Sequence, residues 1–249
     1  MKNHTPPASN LQLPTSSTQN GNVLFFILIA VVLLGLLTMI LSRGGSSVDQ
    51  AGDYEQQSIK INEALRFAKG LETAVQQMLL NGISENDISF DNTTTANDYT
   101  NANCDDSSDR NYPACLIFDA QGAGLNYKAP PSGINDGSEW IITGALRITG
   151  METDTASASA SDLVLILPNV DLADCVAINN LAGVTNPSGA PPQDQTSADY
   201  STHFTGSFTS GDILDPAGGE TDGKESGCFE GGGTPAAGTY HFYHVLHAR

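Results

Sequence analysis

An unbroken apolar stretch over residues 23–41 constrains this sequence more than any other feature. It reads VLFFILIAVVLLGLLTMIL and contains no charged residue and no proline. As a helix rising about 1.5 Å per residue, it would extend about 30 Å, the thickness of the hydrocarbon core of a bilayer. In lipid, a helix satisfies its backbone hydrogen bonds internally. The pattern therefore predicts a transmembrane helix over residues 22–43, preceded by a polar leader over residues 1–21.

The charge of the chain is strongly uneven. All 28 acidic residues lie within residues 49–230, and the whole chain has ten basic residues. A surface this acidic repels the phosphates of nucleic acids and of anionic lipids. We therefore expect no nucleic-acid partner and interpret most of the acidic residues as solvated surface.

Four cysteines follow the apolar stretch. No C-x-x-C pair occurs among them, so the sequence does not indicate a zinc ribbon or a thioredoxin-type motif. An even number of cysteines in a domain that is exported past a membrane suits two disulfides. Four cysteines allow three pairings. Local spacing favours Cys104 with Cys115, which leaves Cys175 with Cys228.

An amphipathic helix is predicted over residues 44–82, after a flexible break at residues 44–47. Apolar residues recur there every three or four positions and form one stripe, and the Asn-Gly pair at residues 81–82 is a helix stop. We expect this stripe to pack on a β-sheet, since two or three heptads are short for the alternative, a coiled coil. The stripe consists of Ile61, Leu65, Ala68, Leu71, Val75 and Met78.

A β-rich head is predicted over residues 83–249. Alternation over residues 139–149 predicts a strand, a continuous apolar run over residues 162–167 predicts a buried strand, and aromatic residues over 239–247 predict a final strand. Residues 202–209 also look strand-like. In the first of these strands, one face is predicted to carry Trp140, Ile142, Leu146 and Ile148.

One helix is predicted to interrupt these strands. Its apolar stripe consists of Leu172, Cys175, Ile178 and Leu181, and Gly183 closes it. The order of elements predicts an α+β fold, in which the long N-terminal helix packs on an antiparallel β-sheet head with one inserted helix. The N-terminal helix would have a transmembrane half and an amphipathic half.

Catalytic motifs are absent from the sequence. There is no G-x-S-x-G, no H-E-x-x-H and no G-x-x-x-x-G-K, so we expect neither catalysis nor a cofactor. His241 and His247 would face the opposite side of a strand from His244, so the three are not expected to share a metal.

Two acidic clusters are candidate Ca²⁺ sites, since Ca²⁺ takes oxygen ligands from flexible loops. Neither cluster has EF-hand spacing, and solvated turn residues are the simpler interpretation. The sequence therefore predicts no metal site. The clusters are Asp105, Asp106 and Asp109 in one loop, and Asp215, Glu220 and Asp222 in another.

The order of segments carries a family resemblance. Gly21-Asn22 is followed at once by the apolar stretch, then by the amphipathic helix and by a β-rich head with a cysteine near its C-terminus. This layout resembles type IV pilins and pseudopilins, the subunits of bacterial pili and of type II secretion fibres. More narrowly, a group of uncharacterised pilin-like proteins of Gram-negative bacteria is similar in the segments GNVLFFILIAVVLLG, LILPNVDLADCVAINNLAG and GTYHFYHVLHAR.

The resemblance implies a function, a location and partners. It implies a membrane-anchored minor pilin or pseudopilin, a structural subunit that a prepilin peptidase would process at Gly21 and Asn22. Its partners would be other pilin-like subunits, bound through the apolar helix, and the lipid of the bacterial inner membrane. The C-terminal domain would then be periplasmic or extracellular.

The chain departs from the family pattern at one charged position and leaves one alternative. Where pilins carry a glutamate, five residues after the processed glycine, this chain has Phe26. A minor, tip or priming subunit tolerates that change better than a major one. The alternative is a single-pass membrane protein whose exported domain binds a ligand or a surface without forming a fibre.

Overall fold

A long helix, two strands, a second helix and three further strands follow one another in the described part of the chain, an α+β order. The computed structural model describes residues 23–92, 99–105, 111–151, 160–209 and 211–249. The chain divides into two units, Met1–Asp53 and Tyr54–Arg249. The helices and strands of the described residues are α1 (Val23–Leu80), β1 (Ile141–Ile148), β2 (Asp162–Leu167), α2 (Leu172–Ala182), β3 (Asp212–Leu214), β4 (Ser226–Glu230) and β5 (Tyr240–His247).

Within the second unit, helix α1 buries the apolar stripe that the sequence predicts. Five polar side chains on its opposite face are exposed: Glu63, Arg66, Lys69, Thr73 and Gln76. This one-sided burial follows from 3.6 residues per turn and confirms the amphipathic helix. The helix is also continuous through residues 44–47, where the sequence predicts a break. Side chains of the stripe that are at most 2% exposed are Ile61, Ala68, Leu71, Val75 and Met78.

The predicted transmembrane half of α1 is wrong. In the part of the chain that the structure describes, no helix combines the length and the apolarity needed to cross a membrane.

The predicted antiparallel sheet is also wrong, because one pair of strands is parallel. The strand order is β3-β1-β2-β5-β4. β1 with β2, β2 with β5 and β4 with β5 are antiparallel, whereas β1 and β3 are parallel. Parallel neighbours need a long crossover connection. Here the chain from β1 to β3 passes through β2 and α2, and the sheet is mixed.

Strand β2 is buried on both faces, as its continuous apolar run predicts. Leu163 and Leu165 point into a core that includes residues of α1 and α2, which we call the helix-side core. Val164 and Ile166 point into a second core on the other face of the sheet, which we call the loop-side core. Ala198, from the segment after α2, contributes to the loop-side core. Both faces of the sheet are therefore covered.

A β-bulge in β1 overturns the predicted face of this strand. Between Thr143 and Leu146, three steps along β1 match two steps along β2. An extra residue reverses the alternation of side chains beyond it. Trp140 and Ile142 therefore belong to the helix-side core, whereas Leu146 and Ile148 belong to the loop-side core.

Helix α2 buries only half of its predicted stripe. Cys175 and Ile178 are fully buried, whereas Leu172 and Leu181 at the two ends are exposed. The helix ends as predicted, because Gly183 adopts a left-handed conformation with φ 69°. Glycine takes this conformation without the steric cost of a Cβ atom.

Candidate functional site

The described part of α1 in the first unit carries apolar side chains on all of its sides. Thirteen large apolar side chains of residues 24–39 are 38–79% exposed. They occupy nearly consecutive positions, so they surround the helix axis and form no single stripe. A helix that is apolar all round is stable only when another apolar surface covers it. We call residues 24–39 the apolar segment.

Covering the apolar segment would remove a large apolar surface from water. Full burial of one Val, Leu, Ile or Phe side chain contributes about 1.5–3 kcal/mol relative to full exposure. Because these side chains are roughly half exposed, their burial would contribute on the order of 10–20 kcal/mol in total. The cost of joining two molecules is about 4–15 kcal/mol. The apolar segment can therefore drive association with another apolar surface.

The predicted processing residues Gly21 and Asn22, like the leader over residues 1–21, lie outside the described residues. Phe26, at the position where pilins carry a glutamate, is 69% exposed. Its ring continues the apolar surface at a point where a carboxylate would interrupt it.

Two disulfides cross-link the second unit, between the partners that local spacing favours. Cys104–Cys115 spans 11 residues, and Cys175–Cys228 spans 53 residues and joins α2 to β4. The Asn179 side chain secures the same junction. It accepts a hydrogen bond from the N–H of Cys228 at 2.6 Å and donates one to the carbonyl oxygen of Cys228 at 3.0 Å. Helix α2 is thereby fixed on the sheet.

Two histidines of β5 contact separate carboxylates, one within α1 and one shortly after its end. His244 Nε2 lies 2.8 Å from Glu72, and His247 Nε2 lies 3.3 Å from Glu85. Both histidines face the helix side, because β5 has an extra residue opposite the bond between Leu163 and Val164 of β2. The prediction that His247 faces away from His244 is therefore wrong.

His241 and Thr239 make a hydroxyl–imidazole contact of the kind that nucleophilic enzymes use. Thr239 Oγ1 lies 2.7 Å from His241 Nε2. The other ring nitrogen, Nδ1, accepts a hydrogen bond from the N–H of Asn169 at 3.3 Å and lies 2.8 Å from the Tyr200 hydroxyl. The ring proton is therefore on Nε2, and this nitrogen cannot take a proton from Thr239. Burial also lowers the pKa of His241 to about 4, so the contact is structural.

The two acidic clusters receive little support as metal sites. Asp106 and Asp109 lie outside the described residues. In the other cluster, the Glu220 carboxylate accepts a hydrogen bond from the N–H of Gly218 at 3.0 Å, which is a local turn contact. Among the described residues, no group of three or more His, Cys, Asp or Glu is placed to hold a metal ion.

A groove of about 860 Å³ lies beside the Cys104–Cys115 disulfide. Tyr112, Phe118 and Tyr127 contribute aromatic rings to its lining, and Asp91 contributes a carboxylate. The Tyr127 hydroxyl donates a hydrogen bond to Glu139 at 2.6 Å. This volume is typical of sites for small ligands. We call this the aromatic groove.

Two features of the described residues can thus engage a partner: the apolar segment and the aromatic groove. The first suits association with another apolar surface, and the second suits a small ligand with polar and apolar parts. Comparison with known proteins gives no relative: no protein family model, no curated protein and no solved structure matches this chain.

Proposed function

We propose that this chain is a pilin-like structural subunit that assembles with other such subunits by packing their apolar segments together. The observation that carries the proposal is the set of thirteen large apolar side chains exposed over residues 24–39. Isolated exposed apolar residues are ordinary, but a continuous patch of this extent marks an interaction surface. The proposal accounts for a helix that is apolar all round in a chain whose second unit buries its apolar residues in the ordinary way.

The disulfides support a location outside the cytoplasm, in the periplasm or the extracellular space. Disulfides persist in oxidising compartments and are reduced in the cytosol. Cys175 and Cys228 are fully buried in the core, so their disulfide is part of the packing that holds the head together. Such cross-links benefit a fibre subunit outside the cell, because they limit its unfolding in a place where ATP-driven chaperones do not act.

Photo-crosslinking of the full chain tests assembly. A photoreactive residue at Leu33, in the apolar segment, should give a ladder of dimers and larger multiples. A photoreactive residue at Thr73, on the exposed face of α1 in the second unit, serves as the matched position and should not give that ladder. Monomers alone from the Leu33 position, or adducts with lipid alone, would refute assembly through the apolar segment.

A charge in the apolar segment provides the complementary test. Leu33→Asp should lower the yield of crosslinks from a photoreactive residue at Leu37 at least about tenfold, because association would bury an unpaired carboxylate. Thr73→Asp introduces the same charge on the solvated face and should leave the yield unchanged. Equal yields for Leu33→Asp and the parent chain would contradict the proposal.

A ligand-binding head that forms no fibre is the second candidate, favoured by the aromatic groove. Titration of the full chain with a panel of small oligosaccharides, which combine polar groups with apolar faces, tests it. An increase in melting temperature that Tyr112→Ala abolishes, together with no ladder from Leu33, would favour this function over assembly.

A further inference from the structure

Several basic side chains of the second unit are neutralised by ion pairs. Lys60, Lys69 and Arg249 each lie within 3.2 Å of a carboxylate oxygen. Arg66 and Lys128, by contrast, are exposed and form no ion pair with another described residue. The chain has 28 acidic and only ten basic residues. A site with two such cations therefore differs in charge from the chain as a whole, which is acidic.

Arg66 and Lys128 border a single groove of about 540 Å³ between α1 and residues 125–128. We call it the basic groove. Its lining is partly apolar, and it contains one carboxylate, that of Glu63. Its apolar lining comes from Ile59, Phe67 and Leu125.

The walls of the basic groove are held in place by the core beneath them. The indole N–H of Trp140 donates a hydrogen bond to the carbonyl oxygen of Lys128 at 3.0 Å. The ring of Phe67 lies 5.2 Å from the ring of Trp140, between their centroids. The groove is therefore formed before any partner arrives, which lowers the entropic cost of binding.

The same chain carries an acidic segment. Residues 212–222 contain Asp212, Asp215, Glu220 and Asp222 and no basic residue; Asp222 is exposed and the other three are half-buried. We call this segment the acidic loop. Leu214 within it belongs to the loop-side core. Phe67, in the basic groove, belongs to the helix-side core. The sheet therefore separates the acidic loop from the basic groove of its own chain.

We propose that the basic groove receives the acidic loop of a second copy of this chain. The inference rests on the proposed function and deepens it, since it identifies a head-to-head contact between subunits. Because the two surfaces differ and lie on opposite sides of the sheet, the contact is heterologous. Heterologous contacts that do not close into a ring produce open filaments. The charges would set the orientation of neighbouring heads, while the apolar segments supply association free energy.

Charge-swapped full chains test the contact. The groove variant carries Arg66→Glu and Lys128→Glu, and the loop variant carries Glu220→Lys and Asp222→Lys. A photoreactive residue at Asn126, in the groove, reports the contact through the crosslinked peptide. We expect each variant alone to lose at least about tenfold in crosslinks to the acidic loop, because like charges then face each other. An equal mixture of the two variants should restore the yield, because each groove then meets a loop of opposite charge.

A control variant and a melting measurement separate the contact from misfolding. Thr73→Glu and Gln77→Glu together add negative charge at two exposed positions of α1 and should leave the yield within about twofold, as expected for surface changes. A groove variant that melts like the parent and still crosslinks fully to the acidic loop would overturn the proposal. So would a mixture that crosslinks no better than its components.

The crosslinks also distinguish failure of this contact from failure of assembly. A ladder from Leu33 without acidic-loop peptides from Asn126 would overturn the groove contact and leave assembly through the apolar segment standing. No adduct from either position would overturn both. Adducts between Asn126 and the acidic loop of another copy, lost in each variant and regained in the mixture, would establish the contact.

Discussion

Replacing Leu71 by alanine should remove a large part of the stability of the second unit. Leu71 is fully buried near the middle of the α1 stripe. It belongs to the helix-side core, together with Leu165 of β2 and Phe242 of β5. The change therefore removes side-chain atoms from the place where the helix meets the sheet, and leaves a cavity between rigid elements.

The expected loss follows from the cost of a cavity. Leu→Ala at a fully buried site lowers the free energy of unfolding by about 3–5 kcal/mol, against a total of about 5–15 kcal/mol for a typical domain. For a domain of this size, each kcal/mol corresponds to about 2–4 °C in melting temperature. We therefore expect the melting temperature of Leu71→Ala to fall by roughly 6–20 °C.

The fluorescence of Trp140 provides the assay. Trp140 is the only tryptophan of the chain and lies in the same core as Leu71, so its emission reports the unfolding of this core in the full chain. Gln77→Ala, at an exposed position of the same helix, is the control and should change stability by less than about 0.5 kcal/mol. If Leu71→Ala melts within 2 °C of the parent, a margin of about 1 kcal/mol, the stripe is not the central contact of the fold.

Three further changes test the cross-links, the buried imidazole and the bulge. Replacing both cysteines of the Cys175–Cys228 disulfide should lower the free energy of unfolding by about 4 kcal/mol, against about 3 kcal/mol for Cys104–Cys115. The unfolded chain regains more entropy when the longer loop is opened. Equal or reversed losses in urea titrations would contradict this. Between pH 6.5 and pH 4, the free energy of unfolding of the parent chain should fall by up to about 3 kcal/mol more than that of His241→Asn. Burial lowers the pKa of His241 to about 4, so in this range only the unfolded state binds the proton. If urea titrations show the same pH dependence for both proteins, this reasoning is refuted. Gly144→Ala would place a methyl group 2.7 Å from a phenylalanine ring and should lower the free energy of unfolding by about 1–3 kcal/mol. Gly70→Ala, with its nearest contact at 3.7 Å, should stabilise α1 by about 0.5–1 kcal/mol. Melting temperatures in the reverse order would contradict the packing argument.

Elements with a long local pattern could be predicted from the sequence. The α1 stripe repeats over several turns, β2 is a continuous apolar run that ends at Pro168, and β5 is rich in aromatic residues. In each case the side chains themselves record which face is buried. The preferred disulfide partners also follow from the sequence, because one pair lies close together along the chain.

Elements that depend on distant partners could not be predicted. β3 and β4 contain only three and five residues within a segment rich in glycine and proline, which leaves no periodicity to detect. Residues 202–209 alternate but form no strand; the aromatic rings of Phe204 and Phe208 instead pack close to Gly144 at the bulge. The bulge itself is a property of the pairing between β1 and β2, so the face reversal in β1 is not visible in β1 alone.

The apolar segment and the basic groove differ in the same way. The apolar segment is a contiguous run and is evident in the sequence. The basic groove joins Arg66 on α1 to Lys128 in a loop after it, and the fold alone brings them together. A sequence in which acidic residues dominate gives no sign that Arg66 and Lys128, which form no ion pair with another described residue, line the same groove.

The position of β5 determines when the head can become stable during synthesis. β5 lies between β2 and β4 inside the sheet, although it begins more than seventy residues after β2 ends. A chain that emerges from its N-terminus must keep the apolar side chains of β2 only partly covered until β5 arrives. Contacts between such distant segments form slowly and leave apolar strands open to aggregation in the meantime. The interval between the emergence of β2 and that of β5 is therefore a period in which this chain is vulnerable to misfolding.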